Sequence, residues 1–217
     1  MDQAGAYREA HERIAGIVDD SVADVAVAAC PGWTVKDVVA HLAGFLSAYR
    51  EGGREAFGPG WGDREVDRRR DSSLQECLAE WRELLEDPGD LFESGLAAVA
   101  VSDILAHEQD IRSAIDRPGA RDDQSIVPSA EMALAWVEKA AAKADRPPLR
   151  IVTEDIDRQI GDGEPAATLR ASTFDLFRTL HGRRTVDQVR AMDWDGDPEP
   201  WLDVLFIFGP TKEPVEA

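Results

Sequence analysis

Between residues 35 and 49 the apolar side chains Val35, Val38, Val39, Leu42, Phe45, Leu46 and Tyr49 recur at intervals of three and four. An α-helix, with 3.6 residues per turn, gathers such positions on one face, so this stretch is a helix with one side committed to a core. Thr34 and Asp37 mark its start, in the arrangement where each side chain serves the other residue's backbone N–H. Trp33 stands ahead of them as a hydrophobic staple, and Cys30-Pro31-Gly32 supplies the preceding turn.

The same spacing predicts further helices. One runs from Asp2 to about Asp19 on a weak stripe of Tyr7, Ile14 and Val18. Another carries Leu74, Cys77, Leu78, Trp81, Leu84 and Leu85 and stops before Asp87-Pro88-Gly89. A fourth runs from Leu91 or Gly95 to Asp116, ahead of Arg117-Pro118-Gly119. A fifth, entered through Pro128-Ser129, uses Ala133, Trp136, Val137, Ala140 and Ala141. Residues 51–73, with Gly52, Gly53, Gly58, Pro59, Gly60 and Gly62 among many charges, read as a solvated connection in preference to a lid.

Beyond Pro147-Pro148 the texture changes. Leu149–Thr153 and Ala167–Ala171 read as strands separated by a Gly161-Asp162-Gly163 turn. Ser172 and Asp175 open a helix with Phe174, Phe177 and Leu180 that Gly182 can end, and Thr185 with Gln188 forms another capping box. The fold class expected is therefore mainly α: a helical domain over residues 1–146, then a small α+β domain over residues 147–217. No internal repeat is visible.

Composition excludes several functions. The chain has 217 residues, 43% of them hydrophobic, and a net charge of −19, which repels polyphosphate and anionic lipid surfaces. Nucleic acid and membranes are accordingly not expected as partners. Apolar runs such as Leu205–Phe208 fall far short of the ~20 residues that span a bilayer. Met1–Ala10 has no apolar core of the secretory kind, which places the expected protein in the cytoplasm. Cys30 and Cys77 are too few for a disulfide framework and read as reduced packing residues. Oligomeric state has no signature.

Histidine occurs at positions 11, 41, 107 and 181. On the fourth helix, the line Leu96, Ala100, Ile111 and Ala114 is interrupted by Asp103 and His107. At i and i+4 their side chains lie one above the other and can point at one atom. Buried charge needs partners, and a divalent cation would satisfy both groups. His41 lies about 60° from Val38, on the flank of its helix's apolar stripe, and can supply a third donor. Two imidazoles and a carboxylate suit zinc with an open fourth position, and equally iron(II), manganese or nickel. The bland alternative is a simple Asp-His hydrogen bond. Asp110, three residues beyond His107, either orients that imidazole from behind or is ordinary helix surface. Glu108 and Arg112 read as a solvated i,i+4 ion pair, and His181 as a helix-end residue.

The segment Cys30-Pro-Gly-Trp-Thr-Val-Lys-Asp-Val-Val-Ala-His41-Leu closely resembles the second-helix motif of the mycothiol-dependent maleylpyruvate isomerase family, whose bundle is DinB-like. Asp103-Ile-Leu-Ala-His107-Glu-Gln-Asp110 is similar to that family's E-x-x-x-H-x-x-D motif, and Phe174–Arg184 with Gln188 to its C-terminal domain. The resemblance implies a DinB-like four-helix bundle in which His41, Asp103 and His107 hold a divalent metal, usually zinc. Asp103 departs from the pattern, being one methylene shorter than the usual glutamate. The resemblance further implies mycothiol as cosubstrate, and an isomerase or S-transferase acting on a small electrophile. Arg183 and Arg184 match the family's Gly-Arg-Arg segment and are candidate clamps for a carboxylate substrate, though arginines at a helix end also serve its carbonyls. A non-catalytic metal- or ligand-binding module with a degenerate site is the alternative, favoured by Asp103. An iron oxygenase is a third reading that the donor types allow.

Overall fold

In the computed structural model, which describes residues 2–215, the chain divides into two compact units at Gly119/Ala120. The first contains helices α1 (Gln3–Ala15), α2 (Val35–Gly52), α3 (Trp61–Arg68), α4 (Leu74–Glu86) and α5 (Ala97–Ala114). The four long helices form a bundle in which α2 packs against α4 and α5, and α1 against α5. Thr34 and Asp37 make the anticipated capping box, and Val35, Val38, Val39, Leu42, Phe45 and Leu46 are all buried. Tyr49, at the end of the stripe, is half-buried and donates its hydroxyl to Asp90 at 2.9 Å. Trp81 of α4 donates its indole N–H to the Tyr7 hydroxyl of α1 at 3.3 Å, so the largest core side chain has its polar atom satisfied.

Three expectations change in this unit. The first helix ends at Ala15, and residues beyond it form turns. The supposed solvated connection of residues 51–73 contains α3, which lies on α2 and buries Glu65 and Arg69. Its glycines interrupt helical periodicity without preventing a short helix between them. Glu108 and Arg112 are buried, not solvated. Arg13 of α1 donates to both Glu108 oxygens, with its shortest contact at 2.7 Å, while Arg112 donates to Oε1 at 2.8 and 3.0 Å. This pairing lets a carboxylate sit in the bundle, because two guanidinium groups replace its water.

The second unit contains α6 (Ile126–Lys143), β1 (Leu149–Val152), β2 (Asp157–Ile160), β3 (Ala167–Arg170), α7 (Thr173–Leu180), α8 (Val186–Arg190) and β4 (Asp193–Gly196). The sheet order is β2-β1-β3-β4, with β1 and β3 parallel and both outer pairings antiparallel. Leu149, Ile151, Ala167 and Leu169 fill the buried face of the central strands. The edge strands, Asp157–Ile160 and Asp193–Gly196, are largely polar and escape hydrophobic patterning. The texture change at Pro147-Pro148 marks where strands begin. The compact unit begins earlier, because α6 packs against α7. Trp136 sits at the border of its helix face and remains 37% exposed. Gly182 follows the α7 cap at φ +76°, with the Gly209 carbonyl where a side chain would stand, so both backbone and space require glycine. Among the described residues, no helix is long and apolar enough to cross a membrane.

Candidate metal centre

His41 projects from the second turn of α2, and Asp103 and His107 from successive turns of α5. The two oxygens of Asp103 divide between the imidazoles: Oδ2 lies 3.3 Å from His41 Nε2 and Oδ1 lies 3.6 Å from His107 Nε2. One donor atom from each of the three residues falls within 4.8 Å of the others. Tetrahedral zinc with bonds of about 2.0–2.2 Å has ligand-to-ligand edges of about 3.3–3.6 Å. The donor set suits a divalent cation, and the shorter aspartate reaches one imidazole with each of its oxygens.

The site's far side is polar and buried. Asp110 Oδ2 lies 3.1 Å from His107 Nδ1, which keeps Nε2 directed towards Asp103 and His41. Burial opposes protonation of His107, but the charges of Asp103 and Cys30 and the hydrogen bond to Asp110 outweigh it and raise the imidazole to about 10. The metal-free site therefore holds a proton at neutral pH. The Tyr7 hydroxyl, buried in the same bundle, is pushed well above the ordinary phenol range by burial, with Asp103 adding to the effect.

The near side is aromatic. The Trp33 ring lies 5.1 Å from His41 and 6.4 Å from His107, so its role extends beyond a helix staple. Trp61, the first residue of α3, lies 4.7 Å from His41, and Phe45 and Phe57 pack against Trp61 at 5.6 and 4.9 Å. Gly62 lets α3 approach: a Cβ there would stand 3.2 Å from His41 Nδ1. Helix α3 is thus a wall of the site that sequence reading assigned to solvent.

Residues 5–93 match the family model described as the mycothiol maleylpyruvate isomerase N-terminal domain. The family resemblance is borne out. A crystal structure of the mycothiol-dependent maleylpyruvate isomerase superposes with a TM-score of 0.54 at 14% identity, covering 83% of this chain and 88% of that one. A histidine-to-alanine mutant of a mycothiol-dependent maleylpyruvate isomerase gives a TM-score of 0.54 at 13% identity, with the same coverage. At such identities the likeness is one of fold, and it agrees with a helical bundle followed by a small sheet. No curated protein matches. The segment matching the mycothiol maleylpyruvate isomerase model carries Cys30, Trp33 and His41, and ends before α5, which supplies Asp103 and His107.

Besides the aromatic wall, sequence reading missed the position of Cys30. Cys30, assigned to packing, places Sγ 3.7 Å from His107 Nδ1 and 3.6 Å from Asp110 Oδ2. Cys77, by contrast, is buried in the core as expected.

Arg183 and Arg184 belong to the second unit. Arg183 donates to the His181 carbonyl at 2.6 Å. Arg184 donates to Asp175 at 2.7 Å and to the carbonyls of Arg183 and Val215 at 3.0 and 3.4 Å. These are contacts of a helix end. His181 is itself such a residue, with Nδ1 2.8 Å from the Phe177 carbonyl.

Proposed function

We propose that His41, Asp103 and His107 hold one divalent cation, zinc by the family resemblance, and that the protein is a mycothiol-dependent isomerase or S-transferase acting on a small electrophile. The observation that carries this reading is the split contact of Asp103 with two imidazoles at 3.3 and 3.6 Å, in a fold shared with a mycothiol-dependent maleylpyruvate isomerase. A bound divalent cation would supply a thiolate at neutral pH by holding the thiol in its deprotonated form.

The chain's own groups have definable tasks. Asp110 fixes the orientation of His107, leaving Nε2 to face the cation position. Asp103 sets the separation of the two imidazoles and contributes the negative charge that balances a dication. Trp33 and Trp61 cover His41 and keep that side dry, which strengthens every charge interaction within. A thiol added across an activated cis double bond leaves a single bond free to rotate before the thiol departs, which is isomerisation. Retention of the adduct is S-transfer. Arg183 and Arg184 remain the proposed cationic partners of a carboxylate substrate, in competition with their helix-end contacts.

The test is elemental analysis of the full chain purified without chelator or histidine tag, followed by titration with mycothiol. About one ion per chain with saturable thiol binding is expected, with most of the metal lost in both His41→Ala and His107→Ala. Full metal content in both variants, or no metal after reloading with zinc or iron(II), overturns the site. Metal without thiol affinity would leave a binding module, the reading that Asp103 favours.

A further inference from the structure

We propose that Cys30, His107 through Nδ1, and Asp110 form a second cation position, suited to a thiophilic divalent ion, which shares His107 with the first position and therefore competes with it. Three distances define this position: Cys30 Sγ to His107 Nδ1, 3.7 Å; Cys30 Sγ to Asp110 Oδ2, 3.6 Å; His107 Nδ1 to Asp110 Oδ2, 3.1 Å. For tetrahedral zinc, with bonds of about 2.3 Å to sulfur and about 2.0–2.2 Å to nitrogen and oxygen, the corresponding edges are about 3.6, 3.6 and 3.4 Å. The three donor atoms thus already stand at the spacing that a single ion demands.

The donors come from rigid places. His107 and Asp110 lie on the buried turns of α5. Cys30 is fixed in its turn by hydrogen bonds from its own N–H to the Val27 carbonyl and from the Trp33 N–H to its carbonyl, both 2.9 Å. Its partial exposure leaves a fourth direction for water and a route of entry. Thiolate, carboxylate and neutral imidazole together carry the charge that a dication neutralises, and the sulfur selects soft ions. On binding, the thiol proton and one of the two ring protons of His107 leave to solvent as the metal–sulfur and metal–nitrogen bonds form.

Competition follows from the chemistry of one imidazole. Neutral histidine has a single ring lone pair, the other nitrogen carrying the proton. With the proton on Nδ1, directed at Asp110, Nε2 serves the His41–Asp103 position. With the proton on Nε2, directed at Asp103 3.6 Å away, Nδ1 serves Cys30 and Asp110. One ion per chain is the consequence, and a thiophilic ion at Cys30 withdraws His107 from the first position.

The test titrates the metal-free full chain with cadmium(II) and follows the ultraviolet thiolate-to-cadmium charge-transfer absorption, with total bound cadmium measured in parallel. Expected are a saturable band in the wild type at one ion per chain, loss of the band in Cys30→Ser, and retention in His41→Ala, which lacks only the first position. Circular dichroism of each variant confirms its fold, and Asp110→Asn is the second variant, expected to weaken the band's titration at least tenfold. No band in the wild type, a band unchanged in Cys30→Ser, or one abolished in folded His41→Ala overturns the proposal. Two ions per chain overturn the sharing of His107. Failure of the first position alone is recognised separately, because zinc affinity would then be the same in wild type and His41→Ala while the cadmium band persists.

Discussion

Gly44 lies in the middle of α2, where glycine costs roughly 1 kcal/mol relative to alanine in helix propensity. The substitution Gly44→Ala would therefore stabilise an isolated helix. In this structure, however, the new Cβ would stand 2.4 Å from Glu65 Cβ, 3.0 Å from Glu65 Cγ and 3.2 Å from an Arg69 guanidinium nitrogen. Carbon atoms rest at about 3.5–4.0 Å, so α3 would have to retreat by more than about 1 Å. The retreat is resisted, because Arg69, which caps the end of α3, pairs with Glu65 of that helix at 2.9 Å and with Glu80 of α4 at 2.6 Å, with both Glu65 and Arg69 buried. Overpacking costs about 1–3 kcal/mol or more, and the overlap with an atom fixed to the backbone places this case at the upper end. Net destabilisation of about 2 kcal/mol is expected after the propensity gain, lowering Tm by roughly 4–8 °C. Chemical denaturation followed by tryptophan fluorescence measures it. Metal affinity should fall as well, since Trp61 and Gly62 move with α3 away from His41. A gain in stability of about 1 kcal/mol would refute the close packing of α3 on α2 and, with it, the aromatic wall of the site.

Asp103→Glu should weaken zinc binding about tenfold, or 1.4 kcal/mol, because the aspartate already reaches both imidazoles and a longer side chain must fold back; tighter binding by competitive titration would show that the family's glutamate geometry is still available. In metal-free protein His107, raised to about 10, is protonated at pH 7, so zinc uptake should release about one proton or more per ion, and two ordinary histidines would release about half a proton. Calorimetry in buffers of different ionisation enthalpy distinguishes these. A raised folded pKa also means that the stability His107 contributes to the metal-free protein is full below about 6.5 and is lost as pH rises through about 10, so alkaline titration should lower the Tm of the metal-free protein more than that of the zinc-loaded one. Arg184→Ala should leave metal content intact and destabilise the protein, because Arg184 holds Asp175 in the first turn of α7 and, against the opposing effect of burial, keeps that carboxyl below its ordinary range; an altered substrate KM with unchanged Tm would assign Arg184 to substrate instead.

Local signals carried the reading of the fold wherever the sequence expresses its burial periodically. The Thr34/Asp37, Ser172/Asp175 and Thr185/Gln188 pairs each mark the start of a real helix, because capping is a matter of four residues. The central strands were legible from alternating apolar residues, and the edge strands were not, since an edge with a polar sequence such as Asp157-Arg158-Gln159-Ile160 takes its structure from the neighbour it pairs with. Helix α3 failed for a similar reason: Trp61-Gly62-Asp63-Arg64-Glu65 has no apolar stripe, and what it buries is a charged pair matched by Glu80 from another helix. In the candidate site, the i,i+4 pair Asp103/His107 could be found from spacing and His41 from its motif. Cys30 could not, because nothing local relates it to residues 77 and 80 positions further along the chain.

Helix α5 explains both the success and the failure. Every residue from Ile104 to Arg112 is buried, so the helix has no solvent face over that stretch, and its charged residues cannot be read as surface. An amphipathic template forces Glu108 and Arg112 outward, which is the error made for that pair, yet the same template flags Asp103 and His107 as anomalies within an apolar line. The physical distinction lies in what neutralises each group. Glu108 receives two guanidinium groups from within the chain and is complete, whereas the carboxylates of Asp103 and Asp110 face imidazoles, groups whose charge depends on a proton. A helix that buries Glu108 and Asp110 and half-buries Asp103, compensating the first with permanent cations and the other two with histidine, has separated the part that stabilises the bundle from the part whose charge follows a proton.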